Sequence, residues 1–109
     1  MSEVREIEPE ELARWRAGGV EHVLLDVRRD DELARASLDG AVHIPMHELP
    51  RRVAEIPHGK PLVVMCHTGA RSWQSAHFLV HGGFPEVYNL EGGIDAYATR
   101  VDPSIPRYR

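Results

Sequence analysis

The chain has 109 residues, a formal net charge of −4, 42% hydrophobic residues and 28% charged residues. This length suits a single domain, residues 1–109, that buries its own core without disulfides or metals. The mild acidity provides neither a basic face for nucleic acid nor a polybasic patch for a membrane surface, so we expect neither partner.

Short apolar segments alternate with helical segments along the chain. The predicted strands are brief and rich in apolar or β-branched residues: 4–7, 22–27, 41–44, 62–65 and 87–90. The predicted helices mostly start near acids or prolines and end near glycines or prolines: 8–18, 29–35, 47–56, 71–81 and 94–99. The tail 102–109 carries two prolines and is predicted to be extended. The alternation predicts an α/β fold, with a parallel sheet and helices on both faces.

The N-terminal residues are charged, and no apolar run approaches the roughly 18 residues that span a bilayer. We therefore expect a cytoplasmic protein. Cys66 is the only cysteine, which excludes an internal disulfide, a multi-thiolate zinc site and an internal resolving thiol. Any covalent change at Cys66 must then be reversed by a second molecule.

The segment around Cys66 combines features that favour a reactive thiol. Cys66 follows the apolar strand 62–65, at the strand end where parallel sheets bind ligands. The helix that follows has unpaired N–H groups and a dipole that attracts anions. Gly69 allows the positive φ that a ring of inward N–H groups needs, and Arg71 adds positive charge. A lone cysteine is more often an inert core residue, but this context favours a thiolate nucleophile in a cradle for an anion.

The loop sequence CHTGARS resembles the active-site loop of single-domain rhodaneses, which often reads Cys-x-x-Gly-x-Arg-Ser. Three other segments are similar to family segments and occur in the same order: LLDVRRDDEL, LDGAVHIPMHELPRRV and GGFPEVYNLEGGIDAYA. The ending DPSIPRY also recurs as a tail in some members. The chain departs from the family pattern at Ala36-Ser37-Leu38, where Gly-His-Ile is common, and at Tyr97, where Trp is common.

The resemblance implies a rhodanese fold, with a five-stranded, mostly parallel sheet and helices on both faces. It also implies a sulfurtransferase that needs no cofactor or metal. Cys66 would take a sulfane sulfur from thiosulfate or a persulfide, hold it as a persulfide, and pass it to a thiol, cyanide or protein acceptor. The residues implied to bind the donor follow Cys66 in the loop: His67, Thr68, Gly69, Ala70, Arg71 and Ser72.

Four other polar residues invite interpretation. Asp26 and Arg28 end a strand at the same edge of the predicted sheet, where they either shape the site or support the scaffold. We favour support, because paired charges are common at strand ends. His77 and His81 lie four residues apart on a predicted helix, but no third ligand is evident, so we predict no metal site.

Two other functions remain open from the sequence. One is a phosphatase or arsenate reductase on the same fold. Such phosphatases have a loop one residue longer than the four residues between Cys66 and Arg71, so the shorter loop favours sulfur. The other is a non-catalytic sulfur carrier or interaction module, which would hold a persulfide stably but turn over thiosulfate weakly.

Overall fold

The computed structural model describes residues 3–109 and contains one parallel sheet. Its strands are β1 (Val4–Ile7), β2 (Val23–Asp26), β3 (Val42–His43), β4 (Leu62–Met65) and β5 (Val87–Leu90). They lie in the order β1-β5-β4-β2-β3, and each adjacent pair is parallel. The structure confirms the α/β fold and the five-stranded sheet expected from the sequence.

Among residues 3–109, four α-helices connect successive strands and a fifth follows the last strand. They are α1 (Pro9–Arg14), α2 (Asp30–Leu33), α3 (Leu49–Arg52), α4 (Ala70–His81) and α5 (Gly93–Arg100). A further helical turn begins at Trp15 and extends α1, and it ends at Gly18, which has a φ of 107°. Within residues 3–109, no helix is long and apolar enough to cross a bilayer.

The pleat of β4 divides the core into two layers. Leu62 and Val64 face one layer with α3 and α4, and Cys66 continues that alternation just beyond the strand. Val63 and Met65 face the opposite layer with α1 and α5. Because successive side chains of a strand point to opposite faces, the position of Cys66 places its sulfur under the start of α4.

Three predicted elements and the tail differ from the structure. The single helix predicted over 47–56 is broken into a 3₁₀ turn at Met46–Glu48, the short α3, and a second 3₁₀ turn at Val53–Glu55. Pro50 has no N–H for helical hydrogen bonding, and Arg52 leaves helical geometry with a φ of −120°. The helix predicted over 29–35 and the strand predicted over 41–44 are both shorter, and the tail begins with a turn over 102–105 rather than extended chain.

Strand register brings the ends of three strands together. Asp26 at the end of β2 is level with Met65 at the end of β4, and Val64 is level with Asn89 of β5. The residues that follow these strands therefore meet at one edge of the sheet, which is where Cys66 lies.

Candidate active site

Cys66 lies at the base of the loop that joins β4 to α4, and it is only 1% exposed. The N–H of Gly69 donates to its Sγ atom over 3.1 Å. Gly69 has a φ of 109°, the left-handed geometry that glycine adopts without steric cost and that the sequence led us to expect. The loop thus curls back so that a main-chain donor faces the sulfur.

A buried polar network supports the other side of the sulfur. The hydroxyl of Ser72 lies 3.3 Å from Cys66 Sγ and 2.5 Å from Oδ1 of Asn89. The amide nitrogen of Asn89 donates to the carbonyl of Gly69 over 3.2 Å and to Glu6 over 3.1 Å, which turns Oδ1 towards Ser72. Since a serine hydroxyl has one hydrogen, it can donate to Asn89 or to the sulfur, but only to one at a time.

The first turn of α5 fixes the main chain at Cys66. The N–H of Ile94 donates to the carbonyl of Cys66 over 2.9 Å, and the N–H of Asp95 donates to that of His67 over 3.0 Å. In a trans peptide the N–H points opposite the carbonyl, so these bonds turn the next two N–H groups of the loop away from α5. A Cβ on Gly93 would lie 2.3 Å from the oxygen of His67, so only glycine permits this close approach.

Arg71 lies at the start of α4 and is paired with a buried carboxylate. Its two Nη atoms donate to Glu32 over 2.6 and 2.8 Å; the side chain of Glu32 is 4% exposed and that of Arg71 is 28% exposed. The Arg71 hydrogen bonds hold the pKa of Glu32 well below its usual value, and Glu32 in turn raises the pKa of Arg71. Both groups therefore stay ionised, and Arg71 is held rigidly beside the loop rather than free as a single charge.

Asp26 and Arg28 form a buried ion pair beneath the loop. The Arg28 side chain is fully buried; its Nη2 lies 2.7 Å from Asp26 Oδ2, and its Nε also donates to the same carboxylate. Nη2 further donates to the carbonyl of Ala36 over 2.9 Å, so the Ala36-Ser37-Leu38 segment contributes a main-chain acceptor. This pair ties the end of β2 to the segment that follows α2.

A cleft of about 320 Å³ opens beside the loop. Its lining combines arginines and acids with two aromatic rings: Arg29, Asp31, Glu32, Arg35, His67, Arg71, Tyr108 and Arg109. The ring of His67 stacks on that of Tyr108, with centroids 4.0 Å apart and planes 15° apart. The cleft is therefore polar and rich in cations, and its walls include residues from the C-terminal tail.

The chain is similar in sequence to known proteins along most of its length. The family described as rhodanese-like domain matches residues 8–100. The chain belongs to the rhodanese-like family. A protein named sulfurtransferase from Allochromatium vinosum is 39% identical over 102 residues, covering 94% of this chain and 95% of that protein. Thiosulfate sulfurtransferase GlpE from Stutzerimonas stutzeri is 34% identical over 97 residues, covering 89% of this chain and 87% of that protein.

Solved structures show the same rhodanese fold. The structure of reduced CoADR-RHD from Bacillus anthracis superimposes with a TM-score of 0.84 at 31% identity. The match covers 94% of this chain but 18% of that longer chain, so the likeness concerns one part of a larger protein. The family and fold inferred from the sequence are thus confirmed.

The rhodanese loop brings together most of the residues singled out in the sequence. Gly69 and Ser72 contact the sulfur of Cys66, and His67 and Arg71 line the cleft. Thr68 and Ala70 are exposed on the outer side of the loop. Asp26 and Arg28 lie beneath the loop as a buried ion pair.

Three residues of the site were not predicted to take part in it: Glu32, Asn89 and Tyr108. Of these, Glu32 had a local signal, since it occupies the third position of α2, where a glutamate side chain can accept a main-chain N–H at the helix start, here that of Arg29. The Gly92-Gly93 pair indicates close turns near the site from the sequence alone, and the structure adds that Gly93 packs against the main chain of the loop.

Proposed function

We propose that this rhodanese-like protein is a sulfurtransferase that carries a sulfane sulfur on Cys66. The Cys66 thiolate attacks the outer sulfur of thiosulfate, the S–S bond of the donor breaks, and sulfite leaves with the bonding electron pair. Cys66 then holds a persulfide, Cys–S–S⁻. An acceptor thiolate or cyanide attacks the outer sulfur of this group, which forms a new persulfide or thiocyanate and regenerates the Cys66 thiolate.

The observation that carries the proposal is the short loop around the sulfur. Gly69 N–H donates to Cys66 Sγ over 3.1 Å, and four residues separate Cys66 from Arg71. A loop that closes this tightly suits one additional sulfur atom above Sγ better than a tetrahedral phosphate with its oxygens. The relatives named as sulfurtransferases support the same chemistry.

The charges around the loop suit an anionic donor. The N-terminus of α4 begins at Ala70 and presents N–H groups that lack intrahelical partners. Arg71 lies in the cleft wall, where its pairing with Glu32 fixes the orientation of the guanidinium. We propose that this wall, together with the loop residues His67 to Ser72, binds the thiosulfate dianion and stabilises the departing sulfite.

Ser72 is suited to follow the change of charge on the sulfur. Its hydroxyl can donate to Asn89 while Cys66 is a thiol, and can turn to donate to Cys66 when the sulfur is anionic. Because Cys66 has no resolving cysteine in the chain, the acceptor must come from a second molecule. We propose a small thiol, cyanide or a protein thiol as that acceptor, and a cytoplasmic location remains a prediction from the sequence.

Turnover assays test the proposal against the phosphatase alternative. We expect the protein to form thiocyanate from thiosulfate and cyanide, and the Cys66→Ala variant to form none above background. An aryl phosphate and arsenate, assayed in parallel, should not be turned over. Turnover of either one without thiocyanate formation would contradict the proposal and favour the phosphatase or arsenate reductase.

A further inference from the structure

The C-terminal segment 102–109 folds back onto the cleft. The N–H of Asp102 donates to the carbonyl of Tyr97 over 3.0 Å, which attaches the segment to the end of α5. Arg107 then pairs with Asp95 over 2.9 and 3.0 Å, close to where Asp95 N–H holds the carbonyl of His67. These contacts deliver the next residue, Tyr108, onto the ring of His67.

The hydroxyl of Tyr108 connects two charged pairs that lie far apart in the sequence. Arg28 Nη1 donates to it over 3.0 Å, and it donates to Glu32 Oε2 over 2.8 Å. Burial raises the pKa of Tyr108 to about 12, so the hydroxyl keeps its proton at neutral pH and remains a donor. A continuous chain of contacts therefore runs from Asp26 through Arg28, Tyr108 and Glu32 to Arg71.

We propose that Tyr108 is a positioning residue that sets, through Glu32, how strongly the Arg71 charge acts on anions approaching Cys66. The carboxylate of Glu32 accepts from Arg71, from the N–H of Arg29 and from Tyr108. Each donor partly neutralises the negative charge of the Glu32 carboxylate. Without the Tyr108 hydroxyl, more of that charge opposes Arg71, and the positive potential in the cleft falls. The inference rests on the proposed function for its link to the donor, but its electrostatic content can be measured without sulfur transfer.

Alkylation of Cys66 provides that measurement, because Cys66 is the only cysteine. Iodoacetate is anionic and iodoacetamide is neutral, so the ratio of their rate constants reports the potential near the sulfur, with each rate followed by intact mass. Tyr108→Phe removes the hydroxyl and keeps the ring stacked on His67. Tyr88→Phe is the matched control, since it also loses a tyrosine hydroxyl that donates to a glutamate, Glu86, but on an exposed surface outside the cleft.

We expect Tyr108→Phe to lower the iodoacetate-to-iodoacetamide ratio about threefold at low salt, the size of effect typical of a partly exposed charge coupling. The difference should shrink as salt screens the charges. The Tyr88→Phe ratio should equal that of the wild type. In a Glu32→Gln background, Tyr108→Phe should have little further effect, because the charge through which it acts is gone.

Two results would overturn the inference. One is an unchanged ratio in Tyr108→Phe, even with a lower melting temperature, which would make Tyr108 a structural residue only. The other is the same fall in ratio with and without the Glu32 charge, which would rule out Glu32 as the intermediary. Failure of the proposed function would look different: normal alkylation of the wild type together with no transfer of sulfur from thiosulfate.

Discussion

The two halves of the candidate site are held in different ways. The Cys66 loop (residues 66–72) is fixed mainly by main-chain groups, from Gly69 N–H on the sulfur to the N–H groups of α5 on the loop carbonyls. The charge cluster beside it (Asp26, Arg28, Glu32, Arg71 and Tyr108) is fixed by side-chain ion pairs and hydrogen bonds. The loop depends on backbone geometry, and the cluster depends on the presence of every partner.

This contrast predicts that the loop and the charge cluster are destabilised by different kinds of substitution. A substitution in the charge cluster should be costly when it leaves a buried charge without its partner. A substitution near the loop should be costly when it adds atoms where two backbones meet or forces an unfavourable φ. Variants of each kind, with matched controls elsewhere in the chain, can separate the two modes of support.

The largest loss of stability is expected for Arg28→Met. It leaves Asp26 buried without its ion partner, which should lower the free energy of unfolding by about 3–5 kcal/mol. Arg52→Met is the control, because Arg52 also pairs with carboxylates, Glu48 and Glu55, but on the surface. Its loss of stability in urea unfolding should be far smaller, because solvent weakens exposed ion pairs. Equal losses in the two variants would contradict the structural account of the cluster.

Gly93→Ala should come next. Its Cβ would press against the carbonyl of His67, and alanine would be held at a φ of 63°. We expect about 2–4 kcal/mol of lost stability from the strain and the clash together, and a loss of sulfur transfer as the Cys66 loop shifts. Gly40→Ala has a similar φ of 82° with no atom within 4 Å of the new Cβ. If Gly40→Ala lost as much stability as Gly93→Ala, the clash with the loop would not contribute to the stability loss of Gly93→Ala.

The Cys66 loop was largely predictable because its determinants are local. The strand Leu62–Met65, the cysteine, Gly69 and the start of α4 fall within one short stretch, and the pattern of that stretch indicates both the fold and the chemistry. The predicted positive φ at Gly69 is an example, since the turn into α4 requires it.

The charge cluster was only partly predictable. The Asp26–Arg28 pair is local and was expected as support for the scaffold, but the other members are distant in sequence. Glu32 and Arg71 are 39 residues apart, and Arg28 and Tyr108 are 80 residues apart. Nothing local to Tyr108 indicates that the tail returns to the sheet edge. Arg71 was expected to add positive charge, but its pairing with Glu32 could not be foreseen, since that partner is supplied by tertiary structure. In contrast, the misjudged helix over 47–56 reflects local effects, the missing N–H of Pro50 and the non-helical φ of Arg52.

The smallest expected effect is a pH dependence from Glu32. Its pKa in the folded protein is lowered from an ordinary 4.5, so its contribution to stability is complete above that value and is lost as the pH falls below it. The difference in free energy of unfolding between the wild type and Glu32→Gln should therefore shrink from about pH 6 to pH 3. Asp31→Asn, at an exposed ion pair with Arg29, should show a much weaker trend. A Glu32→Gln difference that stays constant across this range would contradict the pairing with Arg71.

A sulfur atom carried on Cys66 can be detected by intact mass spectrometry. Wild type and Cys66→Ala are incubated with thiosulfate, freed of excess donor and weighed without reducing agent. We expect a gain of about 32 Da, one sulfur atom, on the wild type alone, and we expect cyanide to reverse it. No gain on the wild type, or an equal gain on Cys66→Ala, would contradict the proposal that Cys66 carries the transferred sulfur.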